Sequence, residues 1–133
     1  MSYVDDMGTM SFAEQAMWVH SQDIIFAPHG AQNVNFVWAQ QCAAILEIYP
    51  KNYYIPGELL QLARAVGAIP FAAYEGDHPY KDSQLSAKDG GLRFRSRAAV
   101  FKSFDIRAAE QALNEMLRSR SSCLKNLLKE VVL

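Results

Sequence analysis

Three short apolar runs, each without strict polar alternation, set the frame of this chain. Residues 23–27 (Asp-Ile-Ile-Phe-Ala) and 44–49 (Ala-Ile-Leu-Glu-Ile-Tyr) have the pattern of strands covered on both faces of a parallel sheet. Residues 69–74 repeat it, with Pro70 delaying the start of pairing. Residues Tyr3 and Val4 are expected to end a further short strand. Helical spacing fills the intervals. Ser11-Phe12-Ala13-Glu14 forms a capping box, Ser11 at the N-cap and Glu14 at N3, and opens a helix to about residue 21 with Phe12, Ala16 and Val19 on one side. A short helix is predicted over 32–40. Another is predicted over 57–66, where Leu59, Leu60, Leu62, Ala63 and Val66 share a face and Gly67 takes the left-handed position after the helix end.

From 75 to 91 periodicity disappears into Gly, Asp, Lys, Ser and Pro, which predicts a long loop. Residues 92–100 suit one more short strand, with Arg93, Arg95 and Arg97 on one face; a solvated face is the plainer reading of those arginines, phosphate binding the alternative. Two helices are predicted within 103–133. Asp105 caps the first, which carries Ile106, Ala109, Leu113, Met116 and Leu117 as its stripe. The second carries Leu124, Leu127, Leu128, Val131 and Val132, and the Ser-rich run 119–122 separates the two. The order α-β-α-β-α-β-loop-α-α predicts a single α/β domain over 1–133, a parallel sheet flanked by helices on both faces with right-handed crossovers. Ligands of such sheets bind at the carboxyl ends of the strands. That places His29, Gly30 and Ala31, the loop after Glu47 and the loop after Tyr74 on one rim.

Composition changes this picture little. A length of 133 residues, half of them hydrophobic and a fifth charged, suits one buried core. A net charge of -1 gives no electrostatic footprint for nucleic acid. No apolar run approaches the ~20 residues that span a bilayer, and residues 1–6 lack the basic and apolar regions of a secretion signal. Cys42 and Cys123 have no metal-type spacing. Two free thiols in a reducing compartment are the expectation, with Cys42 packed as an apolar residue; a disulfide between them is the alternative. A cytoplasmic protein is the resulting expectation.

The candidate chemistry centres on residues 23–35. An apolar strand runs into His29-Gly30-Ala31, and an amide-rich helix start containing Gln32, Asn33 and Asn35 follows. Backbone N–H groups at such a helix start can hold an anion such as a diphosphate, and a glycine lets the backbone approach it. His29 and Asn35 either contact that ligand or satisfy local backbone groups. Glu47 interrupts a buried strand, and a lone carboxylate is costly to bury. Its partner is either a ribose diol or a structural donor. Gln15, one residue past the capping Glu14, either orients the His-Gly-Ala turn and touches the ligand or is a surface amide. Tyr53 and Tyr54 could stack on a base or sugar, or pack on the core edge. Glu75-Gly76-Asp77-His78 looks superficially like a metal site, but no Asp-x-Asp motif accompanies it and no metal is expected. Neither a nucleophile elbow, a Gly-x-Gly-x-x-Gly pattern nor a P-loop occurs.

Taken in order, Ser11-Phe12-Ala13-Glu14-Gln15, His29-Gly30-Ala31-x-x-x-Asn35 and Leu46-Glu47-Ile48-Tyr49-Pro50, followed by a Tyr-containing loop, a helix and a Gly, resemble glycosyltransferase family 61. The resemblance covers about residues 3–74. It implies the Rossmann-like C-terminal, donor-binding lobe of a GT-B enzyme, with an N-terminal acceptor lobe that has no counterpart in this chain. It implies a nucleotide-sugar donor, a UDP-sugar, and inverting, metal-independent transfer to a hydroxyl of a glycan or other acceptor, with no cofactor. The donor-binding residues it implies are Gln15, His29, Gly30, Ala31, Asn35 and Glu47. No general base is assigned; His29, Asp77 and His78 are the candidates. The alternative is a non-catalytic interaction module, or a fragment that needs a partner lobe, with the C-terminal helices burying their stripes against another chain.

Overall fold

A computed structural model of the chain describes residues 4, 6–51, 53–55, 57–75 and 106–131. Strands β1 (Ile24–Pro28), β2 (Ala44–Tyr49) and β3 (Ile69–Tyr74) form a sheet in the order β1-β2-β3. Both pairings are parallel, with Ala27 beside Glu47, Glu47 beside Ala72, and Tyr49 beside Tyr74. Around it lie α1 (Phe12–His20), a 3₁₀ helix (Ala31–Trp38), α2 (Leu60–Ala65) and α3 (Ile106–Val131). The architecture is the expected Rossmann-like α/β arrangement.

The two faces of the sheet have different covers, and the period-2 alternation of β2 assigns its residues to them. Ile45 and its β1 neighbour Ile25 pack with Val19, Phe36, Leu60 and Ala63 from α1, the 3₁₀ helix and α2. Ala44 and Leu46 face the other way, onto Met116 of α3, with Ala112 and Phe71 alongside. Burial of β2 on both sides explains why its residues, Glu47 apart, are apolar without alternation. Glu47 and Tyr49 fall on the face of Ile45, beneath the 3₁₀ helix.

Most local signals act as read. Ser11 and Glu14 close the capping box, with the Ser11 N–H donating to Glu14 Oε2 at 2.7 Å. Gly67 adopts φ 77° just beyond α2. The elements differ from expectation at several places. β1 runs one residue later than expected, ending on Pro28, and Val4 lies in no strand. The segment after β1 is 3₁₀ rather than α, because Asn, Val and aromatic residues, which make up most of Ala31–Trp38, are weak helix formers. α2 begins at Leu60 instead of 57. The C-terminal segment is one continuous helix where two were expected. Residues 119–122 are Ser, Arg, Ser and Ser, and a serine costs a helix interior only about 0.5 kcal/mol, far less than a proline.

The expectation of free thiols is overturned: Cys42 and Cys123 form a disulfide, with Cα atoms 5.7 Å apart across 81 residues of sequence. Cys42 lies two residues before β2, and Arg120, one turn before Cys123, forms an ion pair with Asp23, which directly precedes β1. Both links hold α3 at the amino ends of the strands and leave the carboxyl rim free of them. No helix among the described residues is long and apolar enough to cross a membrane. The expected loop over 76–91, the strand over 92–100 with Arg93, Arg95 and Arg97, and the Asp105 cap lie outside the described residues.

Candidate functional site

The site is assembled where β1 and β2 end. Beyond Pro28 the His29 N–H donates to Ile48 O at 2.8 Å, which extends the parallel ladder by one bond and fixes the His29 backbone. The chain then enters the 3₁₀ helix, whose Asn33 N–H donates to Gly30 O at 3.0 Å. Gly30 itself is extended (φ -178°, ψ 167°), a conformation open to any residue, and a Cβ built on it meets nothing within 4 Å. Neither backbone strain nor packing requires glycine there. Its effect is to leave bare backbone facing open space.

Beneath this turn Glu47 is completely buried, and every donor it uses is a protein side chain. Its Oε1 accepts from His29 Nδ1 at 2.7 Å and from Asn33 Nδ2 at 2.8 Å. Its Oε2 accepts from the Tyr49 hydroxyl. Burial is the largest influence on this carboxyl and acts to raise its pKa, yet the hydrogen bonds from His29, Tyr49 and Asn33, with the charge on His29, outweigh it and hold the pKa below the ordinary value. Glu47 is therefore a carboxylate at neutral pH. Tyr49 is affected in the opposite sense: burial and then the Glu47 carboxylate push its pKa strongly upward, so it stays a phenol and a donor. Asn33 is fixed in turn by a second bond, from Nδ2 to Pro28 O at 3.0 Å.

Aromatic rings wall the same corner. His29 stacks on Tyr49 with centroids 4.8 Å apart and an interplanar angle of 23°, and Tyr53 lies against His29 at the same centroid distance with a 39° tilt. Tyr54 meets Tyr49 and Tyr74 edge to face. Above them opens a cleft of about 460 Å³, lined by His29, Gly30 and Ala31 after β1, by Pro50, Lys51 and Tyr53 after β2, and by Glu58 and Leu59 before α2. This is the carboxyl rim of the sheet, where the strand-end rule puts ligands.

The structure thus divides the residues read from sequence. His29, Gly30 and Ala31 line the cleft. Glu47 lies below it with both oxygens engaged. Gln15 and Asn35 form a separate pair: Asn35 Nδ2 donates to Gln15 Oε1 at 2.8 Å, and Gln15 Nε2 donates to Met10 O at 3.1 Å, which joins α1 to the 3₁₀ helix. Glu75, the residue just after β3, carries a carboxyl whose pKa is raised by burial. Asp77 and His78 lie outside the described residues, and no group of three potential metal ligands occurs among the described ones. Sequence reading passed over Asn33, Tyr49 and Lys51. Tyr49 had a signal, since two residues beyond Glu47 on a strand is the same face; Asn33 had none, because its partner lies 14 residues away.

Chemically the cleft offers an imidazole, the Lys51 ammonium and backbone N–H groups at a helix start, beside flat aromatic surface. That set suits an anion attached to a planar or ring-shaped group. No protein-family model, curated protein or solved structure matches the chain.

Proposed function

We propose that this chain is the donor-binding lobe of a family 61-like glycosyltransferase, holding a nucleotide-sugar, a UDP-sugar by the resemblance, for inverting transfer to a hydroxyl acceptor. The observation that carries the reading is the cleft at the carboxyl rim, where His29-Gly30-Ala31 face Lys51 and Tyr53. In this reading the diphosphate rests on the backbone of Gly30 and Ala31, with His29 and Lys51 as charged or polar donors. Tyr53 offers its ring to the base or sugar. Glu47 acts below the ligand by fixing His29, and the Gln15–Asn35 pair holds the turn in place. In the transfer the acceptor oxygen forms a bond to the anomeric carbon, the bond from that carbon to the diphosphate oxygen breaks, and its electron pair leaves with the diphosphate. Fixed donors around the growing negative charge lower that barrier without a metal ion. In this reading an acceptor-binding lobe is supplied by a further segment or chain, and the general base stays unassigned, with His29, Asp77 and His78 as its candidates.

The test is a thermal-shift titration with UDP and UDP-sugars. A ligand at a hundred times its Kd stabilises by about 2.7 kcal/mol, so a clear rise in Tm is expected, and His29→Ala abolishes it. A folded protein whose Tm moves with no nucleoside diphosphate contradicts the proposal.

A second reading, an interaction module, is favoured by one feature. On α3, Leu113, Leu117 and Leu128 remain 38%, 48% and 65% exposed. Light scattering on the purified chain separates the two, since a strict monomer removes the support for self-association through α3. The expectation of a cytoplasmic location drew on free thiols as well as on the lack of a signal or membrane-spanning run, and the disulfide, typical of oxidising compartments, removes the thiol part of that argument.

A further inference from the structure

The contacts of His29 determine more than its position. Its Nδ1 is 2.7 Å from Glu47 Oε1, and Glu47 has no exposed surface and is ionised. A carboxylate can only accept, so Nδ1 carries a proton in either charge state of the ring. Nε2 is the nitrogen left for the cleft that His29 lines. In the neutral ring Nε2 is then a bare acceptor, which repels a phosphate oxygen rather than binding it. Only the imidazolium presents an N–H there.

We propose that an anionic ligand of this cleft, specifically the diphosphate of a nucleotide-sugar, binds with uptake of a proton from solvent onto His29 Nε2, and that Glu47 is the positioning residue that makes this coupling obligatory. The inference rests on the donor-lobe reading for the identity of the ligand. The balance is simple. Protein whose His29 ring holds only the Nδ1 proton, one proton from buffer and the diphosphate combine to give imidazolium bound to diphosphate, with Nδ1–H on Glu47 and Nε2–H on a phosphate oxygen. No bond to carbon changes in this step. The charge of Glu47 compensates the cation from below while the ligand compensates it from above, so the ring becomes the centre of a carboxylate–imidazolium–phosphate stack. The other groups facing His29 are Tyr49 and Asn33, both committed to Glu47 as donors, and Tyr53. Across the cleft stand Lys51, already a cation, and Glu58. Among the described residues that line the cleft, Glu58 carries a second ionisable side chain, and the experiment must separate it from His29.

The probe is UDP-glucose or UDP-N-acetylglucosamine, whose doubly esterified diphosphate has no proton to give or take near neutrality. Titration calorimetry on the full chain at about pH 8, in two buffers of different ionisation enthalpy, reads the protons taken up, and uptake approaching about one per ligand is expected. Because binding takes up a proton, affinity is expected to fall as pH rises, by up to about tenfold per pH unit. Long-range ¹H–¹⁵N NMR assigns the site: free His29 is the Nδ1–H tautomer, and ligand converts it to imidazolium. His29→Gln, which keeps an amide donor, is expected to bind more weakly with no uptake and no pH dependence. Binding without proton uptake, uptake that survives in His29→Gln, or an Nε2–H tautomer in the free protein overturns the inference while leaving the donor-lobe reading standing. Absence of binding by either nucleotide-sugar at any pH overturns both.

Discussion

Glu47 Oε1 lies 2.7 Å from His29 Nδ1, joining the middle of a buried strand to the first residue beyond its neighbour. The pair is built by register. Pro28 stands beside Ile48, so His29 comes just past the sheet edge, above the side chain that β2 projects onto that face. Two further donors, Asn33 and Tyr49, complete the shell of the carboxylate. A buried carboxylate with three side-chain donors is a stable arrangement, whereas one that loses a donor is not.

Removal of the Tyr49 hydroxyl tests that shell. Tyr49→Phe keeps the ring that stacks on His29 and deprives Glu47 Oε2 of its donor. A loss of about 2 kcal/mol is expected in urea unfolding, with the pKa of Glu47 moving upward in the folded protein.

The pH dependence of stability follows from the same carboxyl. The pKa of Glu47 is lower in the folded chain than in the unfolded chain. Below the unfolded value of about 4.3, the unfolded state binds the proton more readily, so the stabilisation is complete above that pH and is lost as pH falls through the folded value. Acid titration of Tm is expected to show a fall in that window, and Glu47→Gln is expected to be less stable at neutral pH with a flatter acid limb.

Gly30 separates fold from ligand binding. Its extended backbone and the empty space around a built Cβ mean that Gly30→Val leaves the fold intact. Stability within about 0.5 kcal/mol of the original is expected, together with loss of the UDP-induced rise in Tm, because the added methyls occupy the backbone's open side.

At Gly67 the outcome is reversed. With φ 77° and Gln41 Cγ 3.0 Å from a built Cβ, Gly67→Ala combines left-handed strain with a close contact. A loss of about 1–2 kcal/mol is expected from the conformation, read as a lower urea midpoint, with nucleotide binding unaffected at saturating ligand.

The disulfide closes a long loop that includes β2, α2, β3 and the first part of α3. Cys123→Ser is expected to cost about 2–4 kcal/mol, and a reducing agent is expected to lower the Tm of the unsubstituted chain and leave that of the variant unchanged. Equal response of the two proteins would show that the bond does not form.

Local chemistry in the sequence determined the elements. Unalternating apolar runs marked β2 and β3 at their observed bounds; β2, buried on both sides, has no polar face to show, whereas β3 is only partly covered and pairs from Ile69 onward, so Pro70 does not delay it. Ser11 with Glu14 and the isolated Gly67 marked helix ends, since capping and left-handed backbone depend on neighbours a few residues away. His29, Gly30 and Ala31 were legible as a rim because strand direction alone places them there. What crosses between elements was decided only in three dimensions. The choice between a ligand and a protein partner for Glu47 depended on the 3₁₀ helix lowering Asn33 onto it and on Tyr49 lying beside it. The separation of Gln15 and Asn35 from the cleft depended on how α1 meets that helix. The cysteine pair depended on α3 running unbroken back across the sheet, so that residues 81 apart in sequence became neighbours. Sequence encodes short-range preferences directly; these long-range contacts follow from packing two faces of one sheet, and no local pattern carries them.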